Sequence, residues 1–251
     1  MPLTFNAETH RYRLDGKPVQ SVTGLIAKGL PKDALPYWSA KTVAEHVWDN
    51  YDGLDSLRDM GREPFVQALK SVPWQARNEA AVRGTDVHAL AEQVVHGYEV
   101  DVPAHLAGHV KGYADFLDRF NVDPFTTEKS VAHRGLWYAG RFDLIAYMCG
   151  AVWMLDVKTS TNVYGETALQ LAAYAGAEFF VYDHDPDTEH ELPTCERFGV
   201  LHVTEYGTSL YPMRPAWDDW CAVLAVAKRR KDIEAHKLDE ITEPTELENP
   251  A

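Results

Sequence analysis

Cysteine is scarce in this sequence: Cys149, Cys195 and Cys221 stand far apart and form no Cys-x-x-Cys pair. That pattern argues against a zinc site or a disulfide framework and points to a reducing, cytoplasmic setting. No apolar run is long enough to span a bilayer. Met1 to Gly16 shows neither a basic stretch followed by an apolar one nor a small-residue cleavage site, so a soluble, non-exported chain is expected. Basic residues are scarce too, with 24 Lys and Arg against 38 Asp and Glu, a net charge of −14. Proteins that hold phosphate backbones usually carry a basic footprint, so this balance counts against nucleic acid as a partner. Part of the acidic excess lies in residues 232–251, a segment poor in apolar residues that is expected to be disordered. Residues 1–231 suffice for one domain with a full core, and no internal repeat interrupts them.

Periodicity divides that domain into a mostly helical first part, residues 1–83, and a mixed part, residues 84–231. Around Asp15-Gly16 the alternation from His10 to Thr23 predicts a hairpin, after which Ser21 or Thr23 can cap a helix. Helices are predicted at Pro36–Asn50, at Pro64–Ala81 with a break near Pro73, at Thr85–His96 ended by Gly97, and at Pro103–Phe120. Strands follow at Thr126–His133, Trp137–Tyr147 and Ala151–Thr159. Next come a helix from Gly165 to Val181, strands at Arg197–Val203 and Thr208–Met213, and a last helix from Pro215 to His236. The order is α-β-β-β-α-β, an α/β chain.

The stretch Gly140 to Tyr174 concentrates the chemistry. Two β-rich runs flank Cys149-Gly150, a hairpin signal. A loop symmetric about that pair sets Met148 against Ala151 and Tyr147 against Val152, which places Asp143 opposite Asp156. Directly opposed Cβ atoms lie roughly 4.5 to 5.5 Å apart, and alternation puts Lys158 on the face of Asp156. Opposed carboxylates repel. A divalent cation removes that penalty, and carboxylate oxygens are ligands that Mg²⁺ or Mn²⁺ prefers.

Asp143, then Asp156-x-Lys158-Thr159 at the end of the next strand, then Gln170-x-x-x-Tyr174 on a helix resembles the PD-(D/E)XK nuclease superfamily. The RecB-type exonuclease branch fits best, through Gly140 three residues before Asp143, Glu128 opening the preceding strand, and Arg83-Gly84-Thr85-Asp86-Val87-His88 upstream. The N-terminal hairpin is similar to that of phage-encoded members. The resemblance implies a restriction-endonuclease-like core, a mixed central sheet flanked by helices, behind an N-terminal hairpin and helical region. It also implies a metal-dependent DNA exonuclease of recombination, replication or repair, in which His88, Asp143, Asp156 and the Val157 carbonyl hold Mg²⁺ or Mn²⁺. Lys158 would position or deprotonate water, Glu128 would act beside the metal, and Gln170 with Tyr174 would orient Lys158 or touch phosphate. Some members of the branch carry an iron–sulfur cluster on four cysteines; with three dispersed cysteines none is expected here. The implied partner is DNA, single-stranded or with free ends, together with a single-strand-binding or recombination protein.

Each residue also has a plainer reading. Asp143 can be a polar residue on a solvated strand face, Lys158 an ordinary surface ion-pair partner, and Gln170 with Tyr174 a buried polar pair. His88 can be a packing histidine, with Glu92 one turn further on the same helix face as a rival for the same place. Trp38, Trp48 and Trp74 are expected in the core, with stacking on unpaired bases as the alternative. The run Lys228-Arg229-Arg230-Lys231 suits either a helix dipole or phosphates. Two functional alternatives stand beside the exonuclease: an endonuclease of the same superfamily, and a non-catalytic DNA- or protein-binding module on the nuclease fold.

Overall fold

The computed structural model describes residues 2–237, so most of the acidic C-terminal segment lies outside the described residues. Strands β1 (Leu3–Asn6), β2 (Arg11–Leu14) and β3 (Lys17–Ser21) form an antiparallel meander. Asp15 and Gly16 both take left-handed backbone at its turn, as the Asp-Gly signal predicts. Ser21, rather than Thr23, caps α1 (Val22–Gly29), its Oγ accepting the Gly24 N–H at 3.1 Å.

The helical part departs from expectation. After α2 (Ala34–Asp49) and the short α3 (Leu54–Asp59), one helix, α4 (Arg62–Val95), replaces the two predicted at Pro64–Ala81 and Thr85–His96. Pro73 lies inside it. Thr85, expected to cap a new helix, instead donates its hydroxyl to the Ala81 carbonyl within the same one. Trp38, Trp48 and Trp74 also miss the core, at 38%, 81% and 60% exposure. Helix α2 buries no residue fully; Val43 and Val47 are only half-buried.

The remainder is mixed α/β with a mostly antiparallel sheet. Helix α5 (Ala107–Phe120) leads through left-handed Asn121 into β4 (Asp123–His133), β5 (Tyr138–Met148) and β6 (Ala151–Lys158), each antiparallel to the next. Helix α6 (Thr167–Ala175) stops at Gly176 instead of running on to Val181. A Cβ on Gly176 would fall 2.0 Å from the Trp217 ring, so glycine lets that indole close over the helix end. Phe179–Tyr182 then becomes β7, antiparallel to β4, followed by β8 (Asp185–His190); neither strand was expected. Strand β9 (Arg197–Thr204) runs parallel to β6 and pairs with β10 (Gly207–Met213), and α7 (Trp217–Glu234) closes the described chain. Three apolar clusters hold the sheet, one of them joining the N-terminal hairpin to β4, β5 and β7 through Leu3, Leu14, Ala132, Ala139 and Phe179. Phe142 and Met154 pack with α1, α6 and α7 residues such as Leu25, Leu171 and Trp220, whereas Leu144, Leu155 and Val157 pack with Val87 of α4 and Phe116 of α5.

Candidate metal centre

The hairpin register is the one predicted. Met148 pairs with Ala151 and Tyr147 with Val152, and the ladder continues to Leu144 and Leu155. Asp143 and Asp156 come next in step, just beyond its last pair. On the other side of β5, Thr127 pairs with Leu144 and Lys129 with Phe142, which sets Glu128 against Asp143. Glu128 takes a left-handed φ of 50°, uncommon for a side chain of its size, and it breaks the ladder there. Alternation fails at the same level: Phe142 belongs to the layer under α6, whereas Leu144, two residues on, belongs to the layer under α4 and α5. Three carboxylates therefore follow one another across β4, β5 and β6, but they do not share one surface as strict alternation required.

Asp143 turns toward α4. His88 Nδ1 lies 3.7 Å from Asp143 Oδ2 and 3.4 Å from Glu128 Oε1, and ligand atoms of His88, Glu128 and Asp143 all fall within 4.8 Å of one another. Asp143 Oδ2 also accepts the Val157 N–H at 2.6 Å. Val157 is thus seen here through its amide, not through the carbonyl that the resemblance implied. Asp156 is absent from the trio and faces α6 instead. Its Oδ1 accepts from Gln170 Nε2 at 2.7 Å and its Oδ2 lies 2.5 Å from Lys158 Nζ. Gln170 Nε2 also reaches Tyr174 Oη at 3.1 Å, while Gln170 Oε1 stands 3.5 Å from Lys158 Nζ. This polar chain explains Gly140: a Cβ there would meet Tyr174 Cε1 at 2.3 Å, so only glycine lets the ring lie against β5.

Burial and like charge shape the electrostatics. Burial raises the Asp143 pKa, Glu128 adds to the rise, and His88, Lys158 and the Val157 N–H oppose it. Burial likewise pushes Asp156 up to about 6 despite the Lys158 ammonium beside it. At His88 burial works against the charge, but Asp143 and Glu128 outweigh it and lift the imidazole to about 9. Lys158 also ends above its ordinary value, because Asp156 and Asp143 overcome the cost of burial. The Asp143 and Glu128 carboxylates favour positive charge beside them, and this is what raises the His88 imidazole.

Sequence reasoning missed the residues that brace this trio. Arg141 Nε donates to Glu128 Oε2 at 2.9 Å, and its two terminal nitrogens hold Asp183 at 3.0 and 2.9 Å. The signal for Arg141 was its place two residues before Asp143; Asp183 follows the unpredicted β7 and had none. Tyr113 of α5 is buried against the trio, and burial raises its phenol above the ordinary range. Glu92 lines the same space as His88 without joining the trio. Trp38 borders a cleft with Lys158. The basic run at the end of α7 is partly spent on the fold, since Lys228 donates to the Leu136 carbonyl and Arg230 to that of Lys28.

Two carboxylates and one imidazole, gathered from three separate elements, form a set of donors that could hold a divalent metal ion. No helix among the described residues is long and apolar enough to cross a membrane. No family model and no curated protein matches the chain. Among solved structures, SSO0001 is similar at 17% identity, covering 59% of this chain and 68% of that one, with a TM-score of 0.30.

Proposed function

We propose that this chain is a Mg²⁺- or Mn²⁺-dependent deoxyribonuclease of the PD-(D/E)XK type, acting from DNA ends in recombination, replication or repair in a cytoplasm. The observation that carries the reading is the convergence of His88, Glu128 and Asp143 within 4.8 Å, next to the linked Asp156, Lys158, Gln170 and Tyr174. The run β4–β5–β6, α6 and parallel β9 supports a restriction-endonuclease-like core. His88, Glu128 and Asp143 would hold the ion, which when bound lowers the pKa of a water and offsets charge on phosphate. Lys158, whose ammonium is favoured by Asp156 and Asp143, would orient that water or help deprotonate it and would stabilise developing negative charge. Gln170 fixes the Asp156 carboxylate and keeps Lys158 in reach, while the Val157 amide aims Asp143.

End-labelled single- and double-stranded DNA, linear and circular, incubated with Mg²⁺, Mn²⁺ or EDTA, tests this directly. Loss of linear DNA with divalent ion, none with EDTA, and survival of closed circles are expected. Cutting of circles would favour the endonuclease, and no cutting at all the non-catalytic module. Mg²⁺ should also raise the melting temperature of the wild type more than that of Asp143→Asn, since ions that bind the native site stabilise it by mass action.

A further inference from the structure

The trio opens into a cavity of about 800 Å³ that metal chemistry alone does not require. Phe5, His10 and Tyr12 of the N-terminal hairpin and Tyr182 at the end of β7 line it together with His88, Glu128 and Asp143. Phe5 stacks on Tyr12 at 4.6 Å between ring centroids, and His10 meets Phe5 edge-on at 5.9 Å. The charged lining is mainly acidic, with Glu92 and Asp183 added to the trio's own carboxylates, and Arg141 is already spent on Glu128 and Asp183.

A second cleft of about 670 Å³, also bordered by His88, has the opposite character. Arg83 faces it together with Lys41, which pairs loosely with Glu45 at 3.5 Å across solvent, and Lys158, which pairs with Asp156; the hydroxyls of Thr159, Ser160 and Thr161 add polar partners. A polynucleotide alternates anionic phosphates with uncharged, stackable bases. Carboxylates repel the phosphates, whereas ammonium, guanidinium and hydroxyl groups attract them. The aromatic cavity has a small-ligand volume and offers π-faces but no unspent guanidinium.

We propose that the aromatic cavity is a terminal-nucleoside subsite: it takes the base and sugar of the end nucleotide, while the remaining phosphates of the strand lie in the basic cleft. This assignment rests on the nuclease reading above. It gives the N-terminal hairpin a function, with Phe5 and His10 as the surface on which the base stacks.

Isothermal titration of deoxyadenosine 5′-monophosphate and of deoxyribose 5-phosphate, in Mg²⁺ buffer, separates base binding from phosphate binding without any cleavage step. The wild type should hold the nucleotide about tenfold more tightly than the sugar phosphate, the order of one base–aromatic stack. In Phe5→Ala and in His10→Ala the ratio should fall toward one. His10 is exposed, so its variant keeps the test valid if removal of Phe5 disturbs the fold. Equal binding of the two probes by the wild type, or an unchanged ratio in folded His10→Ala and Phe5→Ala, overturns the subsite. A wild type that prefers the nucleotide yet cuts no DNA keeps the subsite and ends the nuclease reading; one that cuts DNA without preferring the nucleotide does the reverse.

Discussion

The arm formed by α2, α3 and the first half of α4 and the block formed by β4, β5, β6 and α6 use similar residues to opposite ends. In the arm, Tyr37, Trp48, Tyr51, Met60 and Trp74 stand in solvent, and α2 buries no residue fully. In the block, the polar groups are the buried ones: Asp156, Thr167 and Gln170 lie inside, amid Leu155, Val157 and Leu171. An exposed indole costs little to remove from the fold, whereas a buried carboxylate persists only when partners or a cation repay its desolvation. In the arm, therefore, apolar content does not mark a core, whereas in the block buried charge marks the candidate site.

The largest effects are expected at the trio. On the proposed reading, Asp143→Asn, Glu128→Gln and Lys158→Ala should each lower DNA cleavage by roughly a hundred- to a thousandfold, the scale seen when a group stabilising transition-state charge is removed. Lys158→Ala should still show a Mg²⁺-dependent rise in melting temperature, because Lys158 is outside the trio. Near-normal turnover by any of these folded variants would leave the block with a structural role only.

Stability offers the second contrast. Trp220, fully buried against Tyr138 in the layer that α7 completes, should cost about 3 to 5 kcal/mol on change to alanine. Trp48→Ala, at a site 81% exposed, should stay within about 0.5 kcal/mol. Urea unfolding of the two variants measures the difference, and a large loss in Trp48→Ala would mean that the arm is held by burial not visible in the described residues.

The same contrast explains what could be read from the sequence. The β5–β6 register followed from Cys149-Gly150 because a two-residue turn fixes every later pair, and the Asp143–Asp156 step came with it. Glu128 escaped that counting: its place against Asp143 depends on a left-handed residue that breaks the ladder, and alternation cannot register such a residue. The α6 boundary was missed because the run through Val181 is apolar enough for either a helix or a buried strand; the chain leaves the helix at Gly176, against which Trp217, more than forty positions away in the sequence, packs. In the arm, periodicity located α2 well but gave no information on whether its apolar side would find a partner.

A smaller effect is expected at the brace. Arg141 ties Glu128 to Asp183, so Asp183→Asn should loosen Arg141 and let Glu128 swing, lowering Mg²⁺ affinity about 10- to 100-fold, the range typical of partners that orient metal ligands. Cleavage at saturating Mg²⁺ should largely recover, which separates positioning from chemistry. Activity equally low at every Mg²⁺ concentration would assign Asp183 to the fold alone.

A further expectation is a pH dependence of the metal-free protein. His88 has a folded pKa of about 9 against an ordinary 6.5, raised by Asp143 and Glu128 against the opposing burial and the Lys158 charge. A group whose pKa rises on folding adds stability that is fully present below the unfolded value, here about 6.5, and that disappears as pH climbs through the folded one. In EDTA the melting temperature of the wild type should therefore fall between pH 6.5 and 9, and that of His88→Gln should fall less across the same window. Mg²⁺ binding should run the other way, since the ion competes with the His88 proton and gains affinity as pH rises. Parallel melting curves for the two proteins across that window, in the absence of metal, would show that His88 carries no excess proton and that the carboxylates of the trio are neutralised from elsewhere.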